Sequence, residues 1–408
     1  MRILHTSDWH IGQALYGRRR YHELDQLLGW LAELLEKERI DVLLVAGDVF
    51  DSSTPSNRAQ ELYYRFLHHT AASGCRHVVV TAGNHDSPSF LNAPRELLKF
   101  LNVHVIGCAA DSPADEVLML SDTNGDPELI VCAVPYLRDS DIRTAEAAES
   151  IADKGRKLVE GIRSHYHQVC GAAEEIRFSL NKPVPIVATG HLFAAGGQTS
   201  DSEGMRELYV GSLAHVGMDA FPECIDYLAL GHLHAPQRVG NSERMRYSGS
   251  PLPMGFGEAG QEKQVFLVDF SDPPPTVTAI PVPRFQALER VRGDWNALHR
   301  RIGELKAAES RAWLEIVHEG HDITVNLSER LDEAISGSKL EILCVKNQAR
   351  TPSRSMTGVD ETLEDLGIDR VFLRCLDARG VPEAQRGELL GTYAEAIACF
   401  HEEDPMAG

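Results

Sequence analysis

The stretch Val42-Leu43-Leu44-Val45-Ala46-Gly47-Asp48-Val49-Phe50-Asp51 decides the fold. Its five apolar residues run without polar alternation, which predicts a strand covered on both faces. The run stops at Gly-Asp, and a carboxylate at a strand end can bridge two cations through its two oxygens. The glycine ahead of it lets another backbone come close. Outward from here the pattern recurs four times. Residues 3–6 run into Asp8-Trp9-His10, and His77–Thr81 into Gly83-Asn84-His85-Asp86. Residues 186–189 run into Gly190-His191, and residues 227–230 into Gly231-His232-Leu233-His234.

Taken singly, each motif has an ordinary reading. Asp-X-His is often a surface turn, a lone Gly-His is usually structural, and an aspartate after a strand often caps a helix. A left-handed Asn84 in a turn leaves His85-Asp86 unexplained. The conjunction decides, because ligands at the carboxyl ends of strands in α/β sheets gather in one crevice. Asp8, His10, Asp48, Asn84, His191, His232 and His234 then supply carboxylates, imidazoles and one amide, with no thiolate. That set suits two divalent metal ions, Mn²⁺ first, with Fe²⁺ or Zn²⁺ as alternatives. His85 is left to offer a proton to a leaving group, with Asp86 either fixing its tautomer or bracing the turn. By contrast, His318-Glu319-Gly320-His321 has no neighbouring ligand types and reads as chance.

Composition narrows the class. The chain has 408 residues, 43% hydrophobic and 25% charged, an ordinary globular balance. No apolar run approaches the roughly 20 residues that span a bilayer, and no signal-peptide pattern opens the chain, so a cytoplasmic protein without a membrane partner is expected. The eight cysteines are scattered with no CxxC pair, which favours buried reduced thiols over disulfides or a zinc ribbon. A net charge of −20 excludes nucleic-acid binding by bulk basicity, so any such grip needs a local basic patch or a partner.

Further along, Tyr21–Lys37 carries leucines at 24, 27, 28, 31, 34 and 35 on a helical period, and residues 57–70 read as another helix. Thr123-Asn124-Gly125-Asp126 reads as a hairpin turn. Pro273-Pro274-Pro275 marks a break. Beyond it, helices at 294–308 and Leu327–Ile335 alternate with strands at 313–317 and 340–345. Residues 347–358 are polar, and helical stretches are expected at 360–376 and 382–400. The expected domains are therefore 1–272, a small α/β cap at 284–346, and a helical segment at 357–402. Leu390, Tyr393, Ile397 and Phe400 form an apolar stripe that a two-helix segment cannot bury by itself.

The motifs DxH, GDxxD, GNHD, GH and GHxH, in this order, resemble the calcineurin-like metallophosphoesterase superfamily over about the first 270 residues. Within it, residues 1–10, 45–51, 229–234 and Gly249-Ser250-Pro251-Leu252-Pro253 resemble the SbcD nuclease subunits of bacteria. The resemblance implies an α/β fold of two stacked β-sheets flanked by helices, a four-layer sandwich, with a small α/β capping domain and C-terminal helices appended. It implies that Asp8, His10, Asp48 and His234 serve one metal, and that Asp48, Asn84, His191 and His232 serve the other. His85 becomes the catalytic histidine outside the coordination sphere. Archaeal relatives carry a histidine where this chain has Asp51, so the resemblance gives Asp51 no role beyond a structural one or the orienting of another ligand.

It further implies a DNA exonuclease and endonuclease: 3′–5′ on duplex ends, and cutting single strands or hairpins. Such subunits work in DNA repair, recombination and replication, associated with the nucleoid. The implied partner is an SbcC-type, SMC-like ATPase bound through the C-terminal helices, with the chain a homodimer inside a heterotetramer. Arg18, Arg19 and Arg20 are candidate DNA contacts, or a solvated basic loop. Two rivals stay open: a phosphatase or nucleotidase of the same superfamily, and a non-catalytic scaffold for an ATPase.

Overall fold

The computed structural model describes residues 1–142, 151–194, 216–319, 327–347 and 386. Residues 1–318 with 325–346 form one compact unit, and 319–324 with 347–408 a second. Of the second, only Glu319, Asn347 and Arg386 are described, so the expected C-terminal helices lie outside the described residues.

Two six-stranded sheets carry the first unit. In the first, four strands run parallel in the order Arg2–Thr6, Val42–Ala46, His77–Thr81, Val103–Ile106. Gln264–Asp269 joins the open side of Arg2–Thr6 antiparallel, followed by Thr276–Pro281 at the edge. In the second sheet, Met245–Tyr247, Tyr227–Gly231, Ile186–His191 and Pro127–Cys132 run parallel. Gln237–Arg238 and Val117–Ser121 close its edges antiparallel.

Strand periodicity explains the layering. Successive side chains point to opposite faces, so each apolar run feeds two cores. Ile3, Val42, Leu44 and Val79 meet Leu129, Val131, Val187, Tyr227 and Ala229 between the sheets. The alternate residues Leu4, Leu43, Val45, Val78 and Val80 face the helices Tyr21–Lys37 and Asn57–Ala72; the six expected leucines of the first helix are all buried. On the far side, Ile130, Ile186, Ala188 and Leu228 meet Tyr166, Val169 and Ala173 of the helix Ile151–Leu180. The layers are helix, sheet, sheet, helix, as expected.

A third sheet, Leu288–Gly293, Trp313–His318 and Glu341–Asn347, is covered on one face by the helices Trp295–Ala307 and Leu327–Ile335. Its other face brings Leu288 and Trp313 against Leu15 and Phe256. The proline run is a hairpin connection rather than a domain break: Thr276–Pro281 returns to complete the first sheet beyond the expected limit at 272. Pro281 is tolerated there because an edge strand need not donate on its open side. Among the described cysteines, 75, 132 and 170 are buried, 224 and 344 half-buried and 108 exposed, all as free thiols.

Candidate metal centre

The chemistry-bearing loops leave the carboxyl ends of adjacent strands and are fastened side by side. Asp8 N–H donates to the Gly47 carbonyl (3.0 Å), His10 N–H to that of Asp48 (3.0 Å), and Ile11 N–H to that of Val49 (2.9 Å). Asp86 ties the third loop to the second, its carboxylate accepting from Gly83 (2.9 Å), Val49 (3.1 Å) and Phe50 (2.9 Å) N–H groups. Burial, then the charge of Asp48, lifts its carboxyl to about 6 against these bonds. Asp86 therefore braces the turn and does not orient His85.

The backbone is strained where the ligand candidates sit. Asp8, His10, Asp48 and His232 have φ of 52°, 46°, 50° and 96°, in the left-handed region that costs side-chain-bearing residues energy. Close approach also dictates a glycine: a Cβ on Gly47, itself at φ 87°, would run into the His191 ring.

All seven ligand candidates and His85 are brought together. Asp8, His10 and His234 form one group of converging ligand atoms, Asp8, Asp48 and His191 a second, and His10, Asp48 and His85 a third. Asn84 Oδ1 lies 3.0 Å from both His191 Nε2 and His232 Nδ1. Asp48 Oδ2 faces His191 Nε2 at 3.2 Å and His10 Nε2 at 3.7 Å. Its Oδ1 is taken by the N–H of His85 at 2.9 Å. One oxygen of Asp48, not two, thus stands between the two histidine sets. Asp8 accepts from His232 N–H at 3.0 Å and from the Ser7 hydroxyl, which also meets Ser248 Oγ at 2.8 Å.

Electrostatically the cluster calls for positive charge. Burial pulls His10 down, but Asp51, Asp48 and Asp8 more than reverse this and raise it to about 9. His191 is likewise lifted to about 9 by Asp48 against burial. Asp48, pushed up by burial, is held well below the usual carboxylate range by His191 and His10. Burial and the neighbouring His191 hold His232 neutral, down at about 3, and burial and His10 push His234 well below its ordinary value. The two rings held above their ordinary value lie where the buried carboxylates most favour positive charge. Buried carboxylates, imidazoles and an amide oxygen aimed at one another fit divalent ions.

His85 is half-buried, its ring edge-on to His10 with centroids 4.9 Å apart. Its Nδ1 meets the Asp51 carbonyl at 3.1 Å. A carbonyl only accepts, so Nδ1 keeps its proton and Nε2 is the atom where a proton can come and go. The Asp51 carboxylate lies 3.5 Å from His10 Nδ1, so Asp51 faces both rings, one through its backbone and one through its side chain.

The three arginines separate. Arg20 is buried, bonded to both Glu23 oxygens (2.7 and 2.9 Å), Gln13 (2.6 Å) and the Pro253 carbonyl (2.7 Å). Its guanidinium is spent inside the protein, which corrects its candidacy as a DNA contact. Arg18 is exposed and pairs with Glu341 at 2.9 Å, while Arg19 lies exposed over the Tyr21 ring. Sequence reasoning missed Glu258 and Lys263, a buried pair behind His234. Lys263 Nζ holds Glu258 at 2.6 Å, Ser250 Oγ at 3.1 Å and the His234 carbonyl at 2.9 Å. The signal was the Gly249–Pro253 motif, whose Ser250 N–H also donates to that carbonyl at 3.1 Å.

Comparison with known proteins agrees. The calcineurin-like phosphoesterase profile matches residues 1–236, and the Type 5 capsule protein repressor C-terminal domain profile matches 284–379. A protein of Escherichia coli K12, named as the SbcD subunit of the nuclease SbcCD, is 35% identical over 98% of this chain and 100% of its own. Proteins of the same name from Rhodobacter capsulatus and Bacillus subtilis are each 37% identical over 66% of this chain, covering 67% and 66% of their own. A β-glucosidase structure from Exiguobacterium marinum aligns over 85% of this chain and 88% of its own at a TM-score of 0.23, too low to bear on the fold.

Proposed function

Because the chain belongs to the calcineurin-like phosphoesterase family, and within it to the SbcD nuclease subunits, it is a metal-dependent phosphodiesterase, and we propose that it cuts DNA at a centre of two divalent ions around Asp48. One observation carries this reading: two ligand groups overlap at buried carboxylates, on loops held in left-handed backbone. Asp8, His10, Asp48 and His234 would hold one ion, and Asp48, Asn84, His191 and His232 the other, with Asp48 common to both sets. Mn²⁺ is the first choice for this donor set.

What divalent ions supply when bound is Lewis acidity, acidifying a water and offsetting charge on the phosphate oxygens. The protein's own part is positional. Asp86 fixes the loops, Asp51 fixes His85 Nδ1, and a protonated His85 Nε2 delivers its proton to the departing 3′ oxygen. The relatives are named as subunits of the nuclease SbcCD, and in keeping with the family resemblance we propose exonuclease action on duplex ends, cutting of hairpins or single strands, and an SbcC-type ATPase partner, with the 357–402 segment as the docking element and residues 284–346 as a cap.

The test uses Mn²⁺ with linear duplex DNA, a hairpin oligonucleotide and p-nitrophenyl phosphate, with and without the ATPase subunit. Cleavage of the small ester alone would make the chain a phosphatase, and no cleavage at all a scaffold. His85→Ala decides its role, since His85 also stands within ligand reach of His10 and Asp48. The variant is expected to keep both ions by metal analysis while cleavage falls roughly 10²–10⁴-fold. Loss of an ion would make His85 a ligand instead.

A further inference from the structure

The loop that follows the strand Pro127–Cys132 crosses from the second sheet to the first beside the metal centre. Three hydrogen bonds fix its path. Ala133 N–H donates to the Glu116 carbonyl at 2.8 Å, the Thr189 hydroxyl to the Val134 carbonyl at 2.9 Å, and Tyr136 N–H to the Ala82 carbonyl at 2.8 Å. Thr189 belongs to the strand that ends at His191, and Ala82 directly precedes the Gly83-Asn84-His85-Asp86 turn. Tyr136 is thereby fastened to the elements that carry Asn84, His85 and His191. Its ring stands against that of His191, with centroids 6.2 Å apart and an interplanar angle of 82°. The metal and proton chemistry leaves it without a task.

An aromatic ring that only packs on a ligand would be closed in, and Tyr136 is not. Pro135 and Leu137 on either side are buried, whereas Tyr136 is half-buried. Its hydroxyl has no hydrogen-bond partner among the described residues. Around the same sheet, the hydroxyls of Tyr166, Tyr227 and Tyr247 meet the Thr189 carbonyl, His5 Nδ1 and the Leu192 carbonyl at 2.9, 2.9 and 2.8 Å. Two nearly perpendicular rings meet edge to face, so His191 covers at most one face of the phenol. Two residues on, Arg138 is exposed with no acidic side-chain partner among the described residues, while its N–H is held by the Asp141 carboxylate at 3.0 Å. A rigidly placed, half-open ring beside the centre, with a guanidinium next to it, suits one nucleotide of an anionic strand.

We propose that Tyr136 is a substrate-positioning residue, on whose ring the nucleobase next to the scissile phosphate stacks. This rests on the nuclease reading above and deepens it, since divalent ions alone act on phosphate esters of any kind. Every base has a π-face, so the subsite selects a nucleotide without choosing a sequence.

The test uses the full Mn²⁺-loaded chain and a 5′-labelled single-stranded oligonucleotide, with cleavage read at one phosphodiester. The nucleotide on either side of that bond is intact or replaced by a stable abasic residue. In the wild type, removing the stacked base is expected to slow cleavage by roughly 10–100-fold, on one side of the bond only. Tyr136→Ala should cut the intact strand as slowly as the wild type cuts the abasic one, and lose nothing further on the abasic strand. Tyr136→Phe should match the wild type, and metal analysis should find both ions in each variant. A Tyr136→Ala variant that is unslowed, or that stays as sensitive to the missing base as the wild type, overturns the subsite. Loss of an ion in that variant also overturns it, by making the ring a support for His191. A Tyr136→Phe variant as slow as Tyr136→Ala does the same, by assigning the effect to the hydroxyl. A wild type that cuts the strand but ignores the abasic residue overturns the subsite alone. One that cuts none of the oligonucleotides overturns the nuclease reading and the subsite with it.

Discussion

Two regions bury charge, and they do so in opposite ways. Behind His234, Lys263 and Glu258 are 4% and 0% exposed, and each charged atom meets its complement. Arg20 and Glu23 repeat this at the foot of the hairpin. In the metal centre, Asp8, Asp48 and His191 are as deeply buried, yet among the described residues no lysine or arginine pairs with the carboxylates: histidines crowd them instead, with His10 Nε2 3.3 Å from His234 Nε2 and Asn84 Oδ1 between two imidazoles. A buried pair that satisfies itself is scaffold. A buried cluster that stays short of positive charge needs a cation from outside.

Removing the shared carboxylate should break this contrast most completely. Asp48→Asn keeps the shape and the bond from His85 N–H but takes away the charge between the two histidine sets. Cleavage is expected to fall by roughly three to four orders of magnitude, about 4–5 kcal/mol of transition-state stabilisation. Mn²⁺ should raise the melting temperature of the wild type and leave that of the variant nearly unmoved. A variant that still gains full stability from Mn²⁺ would show that Asp48 does not hold the ions.

The self-satisfied region should fail differently. Lys263→Met removes one partner of a buried pair and takes the ammonium away from the Glu258 carboxylate. Stability is expected to drop by roughly 3–5 kcal/mol. The Lys263→Met, Glu258→Gln double variant should recover much of it, because the orphan charge is gone. Denaturant unfolding reads both. Equal losses in the single and double variants would mean that the amine's grip on the His234 carbonyl matters more than the ion pair.

The contrast also explains what the sequence disclosed. Ligands at strand ends were legible because apolar runs that are buried on both faces read as continuous blocks, and each block ended in a ligand type. The four layers followed from the same runs. Asp86 is easily misplaced because sequence adjacency to His85 suggests contact, whereas the turn points its carboxylate at three backbone N–H groups. Asp51 could not be placed, since one of its two partners is reached through a backbone carbonyl that carries no side-chain signal. Arg20 looks like its neighbours because the Pro253 carbonyl that helps bury it is far away in the chain, and nothing in the local sequence says that Glu23 and Gln13 turn onto it. The strands Met245–Tyr247 and Leu288–Gly293 are hidden in the sequence, the first for being three residues long and the second for alternating charge with apolar residues.

The smallest expected effect lies just behind the centre, at a buried group outside both regions. His5 sits between the sheets with Nδ1 2.9 Å from the Tyr227 hydroxyl, and burial lowers its pKa to about 3 against an ordinary value of 6.5. Below pH 6.5 the unfolded chain takes up a proton that the folded chain refuses. His5 therefore contributes nothing unfavourable above that pH, and stability is lost progressively as the pH falls toward 3. One such group costs up to about 1.4 kcal/mol per pH unit, or roughly 2 kcal/mol by pH 5. His5→Gln keeps a polar partner for Tyr227 but cannot titrate. Between pH 7 and pH 5 the wild type should lose about 2 kcal/mol more than this variant, by denaturant unfolding with Mn²⁺ present throughout. Parallel curves for the two proteins would mean that His5 is protonated in the folded state, and that the layer between the sheets shares the centre's shortage of positive charge rather than standing apart from it.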